Sequence, residues 1–98
     1  MPEQEPDYQL MRRVALSDED AVAELYERYG RLVYKLSYQF LSNNSEAEDA
    51  VQEVFVRLWK TADRFDSRKA KLVTWVMLIT RRHLIDRIRR KTVRPKQQ

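Results

Sequence analysis

The chain contains no cysteine and a single histidine, His83, in 98 residues. A disulfide framework, a thiol nucleophile and the usual zinc sites are therefore excluded together. Its one glycine, Gly30, excludes a glycine-rich phosphate loop and with it the commonest signature of nucleotide hydrolysis. Three prolines, all near the ends at Pro2, Pro6 and Pro95, leave the interior without the turn punctuation that β-hairpins require. No apolar run approaches the roughly 18 residues of a membrane span, and the acidic opening at residues 1–7 does not look like a signal peptide. These absences point to an all-α fold, a cytoplasmic setting and no membrane partner.

What is present fits one small domain with one core. The composition, 43% hydrophobic and 35% charged, is apolar enough to bury a core and polar enough for a compact surface. The net charge of +4 hides a split. Residues 1–80 carry 11 basic and 14 acidic side chains, net −3, whereas residues 81–98 carry 8 and 1, net +7. The C-terminal end is the candidate for a polyanion, although basic helix ends also arise from solvation and the helix dipole.

Apolar periodicity predicts four helices in a small bundle. Tyr8, Leu10, Met11, Val14 and Ala15 share a face over residues 7–16. Ser17 is the expected N-cap of a second helix, running to about Leu41, whose apolar positions include Val22, Leu25, Tyr29, Leu32, Val33 and Leu36. Gly30 inside it suggests a close helix contact. Asn43, Asn44 and Ser45 form a turn, with Ser45 and Glu48 as a capping box for the third helix. That helix carries the clearest stripe, Ala47, Ala50, Val51, Val54, Phe55 and Leu58, with Glu46, Asp49 and Glu53 on the opposite side. Residues 61–71 read as a basic loop with Phe65 exposed, and a last helix starts near Leu72 and runs to about Lys91. The expected core joins the second, third and fourth helices through Leu25, Leu32, Leu36, Val51, Val54, Phe55, Leu58 and Ile79.

Catalysis has little support, because the carboxylates sit at helix starts and on solvated stripes where capping explains them. Glu46, Asp49 and Glu53 could hold a divalent ion, but three carboxylates on one helix face more often meet water or a basic partner. No catalytic residue, metal or cofactor is expected, and His83, beside Arg81 and Arg82, reads as a surface residue. The constellation that stands out is an aromatic in a basic loop, then Trp75, then an arginine-rich helix end. Aromatic faces stack on unpaired bases and arginines neutralise phosphates, which suits single-stranded nucleic acid. Trp75 amid Val73, Val76 and Ile79 is by pattern a core residue more often than a stacking one. Arg82, Arg89 and Arg90 form a solvated face if Asp86 pairs with them at helical spacing.

Four segments in series carry a resemblance. The run from Ala47 to Trp59 (AEDAVQEVFVRLW), then Phe65-Asp66, then Thr74-Trp75-Val76, then Leu84 to Arg90 (LIDRIRR) resembles region 2 of sigma-70-type transcription initiation factors. The extracytoplasmic function (ECF) subgroup is the nearest in pattern, and the similarity covers residues 18–91 in order and spacing. It implies that Asp49, Gln52 and Glu53 contact the clamp helices of the β-prime subunit of core RNA polymerase. It implies that the loop with Phe65, Arg68 and Lys71 captures an extruded base of the promoter −10 element. The non-template strand would then be held by Trp75, Arg82, Asp86, Arg89 and Arg90. An anti-sigma factor is an expected further partner.

Two positions depart from the family pattern. Arg82 stands where asparagine is usual, replacing a donor and acceptor by donors alone, which implies an altered −10 preference. Ala70 and Lys71 stand where glycine and a small polar residue are common. Residues 1–17 are expected to be an N-terminal segment with a short helix, and 92–98 the start of a linker, with the family's −35-reading second domain missing. The reading from another class is a helical module that binds an anti-sigma-type regulator without binding DNA; a basic-helix RNA binder is a further alternative.

Overall fold

The computed structural model describes residues 5–93, and side chains as far as Arg90. Four helices follow one another: α1 (Asp7–Ala15), α2 (Glu19–Leu41), α3 (Asn44–Lys60) and α4 (Leu72–Val93), with a 3-10 turn at Ala62–Arg64 before the last. The expected all-α bundle is thus observed, with no strand among the described residues. Residues 92 and 93, expected to open a linker, are helical, and residues 94–98 lie outside the described ones.

The six-residue stripe of α3 is buried throughout, as its spacing predicts, and lies at the centre of the core. Leu25, Val33 and Leu36 of α2 meet it from one side, and Leu72, Val76 and Leu84 of α4 from another. Leu32 and Ile79, expected inside, are half-buried. The larger correction concerns α1, whose Leu10, Met11 and Val14 are fully buried in the same cluster. Two bonds from Arg28 of α2 anchor its start, to Asp7 Oδ1 (3.2 Å) and to the Glu5 carbonyl (3.0 Å), while Glu24 Oε2 of the same helix orients the guanidinium (2.9 Å).

The helix boundaries are set one or two residues from where the sequence suggested. Ser17 is not the N-cap of α2; it takes the left-handed conformation (φ 63°) that ends α1. Its N–H donates to the Val14 carbonyl (2.9 Å) and that of Asp18 to the Arg13 carbonyl (3.0 Å), the paired bonds that close a helix. Asp18 is the cap instead, its carboxylate accepting from the N–H groups of Asp20 and Ala21. Likewise Asn43, not Ser45, caps α3 through the N–H of Glu46 (2.9 Å), and Asn44 and Ser45 already belong to the first turn. Gly30 is buried, but by a side chain of its own helix: a Cβ there would lie 3.3 Å from the Tyr26 ring, which itself packs edge-on against Phe55 at 5.1 Å.

Ser42, at the end of α2, also adopts a left-handed conformation (φ 54°) while its N–H donates to the Tyr38 carbonyl at 2.7 Å. A side chain in that conformation costs about 1 kcal/mol, which glycine avoids at the expense of a freer unfolded chain. Ser42→Gly is expected to stabilise the fold by about 0.5–1 kcal/mol and raise its Tm by a few degrees. Calorimetry showing an unchanged or lower Tm would contradict the assigned strain.

Candidate nucleic-acid interface

The last helix divides its residues by angle. Leu72, Val76, Thr80, His83 and Leu84 face the bundle and are buried. At about 100° per residue, Lys71, Trp75, Leu78, Arg82, Ile85 and Arg89 fall within an arc of about 80° on the outer side. Lys71, Arg82 and Arg89 are exposed, as are Leu78 (44%) and Ile85 (45%), so this side alternates cations with apolar area. Arg90 is exposed beside it. The structure thus gathers four of the expected nucleic-acid residues, Lys71, Trp75, Arg82 and Arg89, into one continuous stripe.

Residues 61–71 are more ordered than a basic loop. After the 3-10 turn, the Asp66 carboxylate accepts from the Arg68 N–H (2.9 Å), from Arg68 Nε (3.1 Å) and from Arg68 Nη2 (3.1 Å), while its carbonyl accepts from the N–H of Lys69. The Arg68 guanidinium and N–H hold the Asp66 carboxyl down at about 2. Arg68 itself remains 88% exposed, so its cation is fixed in direction and open to a ligand. Phe65, expected to be exposed, is half-buried: its ring lies 5.5 Å from that of Trp75, tilted by 52°. Trp75 is half-buried too, one part packed on the core. That aromatic pair joins the loop to the outer stripe of α4. On its other side Phe65 lines an open groove of about 460 Å³ with Tyr8, Met11 and Arg12 of α1.

The acidic stripe expected on α3 is split by the packing. Asp49 and Gln52 are exposed, continuing into exposed Val56 and Trp59, and Gln52 borders an open groove of about 620 Å³ between α2 and α3. Glu46 and Glu53 instead turn toward α4. Glu53 Oε1 accepts from Arg87 Nη1 (2.9 Å) and lies 2.6 Å from His83 Nε2, and Glu46 sits 3.6 Å from Arg87 Nη2. Asp86 pairs with Arg57 of α3 at 3.5 Å, not with the arginines of its own helix as the spacing suggested. Arg87 is correspondingly withdrawn from the charged outer side, its side chain only 17% exposed.

His83 is the clearest error of the sequence reading, since it is buried at 3% exposure. Its arginine neighbours concealed a helical position one turn beyond Ile79 and two beyond Val76, the signal that places it inward. Burial lowers its affinity for a proton, outweighing the raising effect of Glu53, and Arg57 and Arg87 add to the lowering. Burial alone would raise the Glu53 carboxyl, but the hydrogen bond from His83 and the Arg87 guanidinium bring it below its ordinary value. Glu53 is thus ionised and accepts, so the neutral imidazole carries its proton on Nε2.

The family profile for sigma-70 region 2 matches residues 25–94. ECF RNA polymerase sigma factor SigW of Bacillus subtilis is 40% identical over 81 residues, covering 83% of this chain and 43% of that protein. ECF RNA polymerase sigma factor SigK of Mycobacterium tuberculosis is 35% identical over 80 residues, covering 82% and 43%. The chain therefore spans less than half the length of these relatives. Among solved structures, an engineered region 2 of sigmaE in complex with GTAAAA, determined by NMR, is similar with a TM-score of 0.83 and 28% identity, over 99% of this chain and all of that one.

The depressed proton affinity of His83 fixes the sign of a pH effect. The unfolded chain protonates this imidazole near its ordinary value of 6.5, whereas the folded chain does so only at lower pH. Stability complete above pH 6.5 is therefore lost as the pH falls from there toward the folded value. Glu53 and Asp66, both lowered, lose their contributions below their ordinary values of 4.5 and 3.8. The wild-type Tm is expected to fall between pH 7.5 and 5.5, and His83→Gln, which keeps a donor toward Glu53, to flatten that interval. A wild-type Tm independent of pH there would contradict the buried neutral imidazole.

Proposed function

The chain belongs to the sigma-70 region 2 family, on its ECF sigma factor branch, and we propose that it binds core RNA polymerase and recognises and melts the promoter −10 element. The observation that carries this is the continuity of the Phe65–Trp75 pair with the cationic outer stripe of α4. Unpaired bases stack on aromatic faces with about 1–3 kcal/mol each, and arginines at helical spacing follow a phosphate backbone. Extruding a base costs a few kcal/mol, which a walled site beside Phe65 offsets. The similarity to a region 2 whose structure holds GTAAAA supports the same assignment.

In this reading Phe65, Arg68 and Lys71 receive the extruded base and its phosphate. Trp75 stacks, Arg82 contacts a base edge with donors only, and Arg89 and Arg90 neutralise phosphates. Asp86 holds Arg57 and shapes the edge of the stripe. Asp49 and Gln52, exposed on α3 beside the α2–α3 groove, offer carboxylate and amide to the clamp helices of the β-prime subunit. An anti-sigma factor is the proposed antagonist, with the exposed Leu78 and Ile85 as apolar area it would cover. The chain works in the cytoplasm with the polymerase, needs no cofactor and performs no catalytic step.

The test uses single-stranded oligonucleotides carrying candidate −10 hexamers, GTAAAA among them, over a series of salt concentrations. Arg89→Ala with Arg90→Ala is expected to weaken binding and to flatten the log–log salt dependence by roughly 0.7 for each phosphate no longer neutralised. An unchanged slope would contradict the assignment. Absence of salt-dependent DNA binding by the folded wild type would favour a module that binds only protein partners.

A further inference from the structure

The single glycine of the chain lies under the ring of a tyrosine. A Cβ at Gly30 would stand 3.3 Å from Tyr26 Cζ and 3.4 Å from each Cε, so the ring rests one face on bare helix backbone. Its contact with Phe55, centroids 5.1 Å apart, keeps it there, and Tyr26 is still 54% exposed. That exposed ring borders the open groove of about 620 Å³ between α2 and α3. Two turns further along α2, Tyr34 lines the same groove, its hydroxyl donating to Asn44 Oδ1 (2.6 Å) in the first turn of α3. Buried Val51 supplies apolar floor. Tyr26, Gly30 and Tyr34 follow one another at four-residue spacing along one side of the helix, with both rings already held in place.

The charges around this groove do not balance. Glu27 lines it from α2 and Glu48 from α3, both exposed and neither in an ion pair among the described residues. Arg31 is the one cation lining it. Two carboxylates against one guanidinium leave a negative charge unmatched beside aromatic area. An apolar side chain entering here would desolvate the carboxylates without pairing them, and a phosphate would be repelled. A planar guanidinium satisfies both features, stacking on the ring and giving its forked N–H donors to a carboxylate. Gln52 also lines the groove, which therefore continues the side of α3 that the proposed function offers to the polymerase.

We propose that the α2–α3 groove seats an arginine side chain of that protein partner, stacked on Tyr26 and paired with Glu48, so that Tyr26 and Glu48 determine which partner helix is accepted. The proposal rests on reading the Asp49 and Gln52 side as polymerase-facing. Gly30 has a defined part in it, since only a residue without a side chain lets the Tyr26 ring lie this close to the helix.

Binding to a β-prime clamp-helix fragment tests this for wild type, Tyr26→Leu, Tyr26→Phe and Glu48→Gln, with Gln52→Ala as the probe of the underlying reading and circular dichroism melts showing that each variant is folded. Tyr26→Leu keeps apolar contact toward Phe55 but no aromatic face, and is expected to weaken binding about fivefold or more. Tyr26→Phe, which loses only the hydroxyl, is expected to stay within about twofold of wild type. Glu48→Gln is expected to weaken binding about threefold, a difference that shrinks at high salt. Clamp fragments with one exposed arginine at a time changed to glutamine then locate the seated residue: toward one of them Tyr26→Leu binds no more weakly than wild type does.

Equal binding by wild type and Tyr26→Leu, with Gln52→Ala weakened, would overturn the seat and leave the polymerase-facing side standing. A Tyr26→Phe variant as weak as Tyr26→Leu would contradict stacking, and a Tyr26→Leu loss that persists toward every arginine-replaced fragment would contradict an arginine occupant. A folded wild type that does not bind the clamp fragment would instead remove the functional reading on which the proposal stands.

Discussion

The arrangement depends on the burial of one stripe, the Ala47, Ala50, Val51, Val54, Phe55 and Leu58 side of α3. Helices α1, α2 and α4 all pack on it, and each large apolar residue it buries contributes about 1.5–3 kcal/mol. Exposed ion pairs contribute at most about 1 kcal/mol each, so the charged seam along α3 and α4 orients helices that apolar contact already holds. With its inner side consumed, α3 has two flanks left. One presents Asp49 and Gln52 outward; the other presents Glu46, Glu53 and Arg57 to the last helix. In the proposed function, a single helix would thereby fix both the side offered to a protein partner and the direction of the side offered to DNA.

Along α4 the same rod passes from one task to another. Its first turns are held by Leu72 and Val76 in the main cluster, and Leu84 closes a smaller one with Leu36 and Ala50. Over the same length its outer side runs from Trp75 to Arg89, aromatic at the end nearer Phe65 and cationic at the other. In the proposed function, base stacking would fall toward the Trp75 end and phosphate neutralisation toward the Arg89 end of one axis. The Asp66–Arg68 clamp does comparable work in the preceding turn, holding an exposed guanidinium in one direction.

How much of this was legible in the sequence follows from which forces act locally. Helix identity and the α3 stripe were readable because burial imposes a 3.6-residue period. The caps were misplaced because Ser17 and Asp18, or Asn43 and Ser45, are all good capping side chains; the choice depends on which backbone turns left-handed or extended. Participation of α1 in the core is a tertiary matter, in which burial of Leu10, Met11 and Val14 holds the helix and Arg28, reaching Glu5 and Asp7, fixes its start. The burial of His83 and its bond with Glu53 escaped the sequence for one reason. Each is polar in a polar neighbourhood, and only the facing helix, 30 residues away in the chain, makes them partners. The exposed cations Arg82, Arg89 and Arg90 were readable, since no distant residue changes their placement.

The most direct test of the central claim is a titration of the isotope-labelled chain with single-stranded DNA carrying candidate −10 hexamers, followed residue by residue by NMR. Shifts concentrated at Phe65, Arg68, Trp75, Arg82 and Arg89, with the amides of α2 unmoved, are the expected result. Shifts centred on α2 or on Asp49 and Gln52, or none at all from a folded chain, would contradict a single-strand-reading surface on α4.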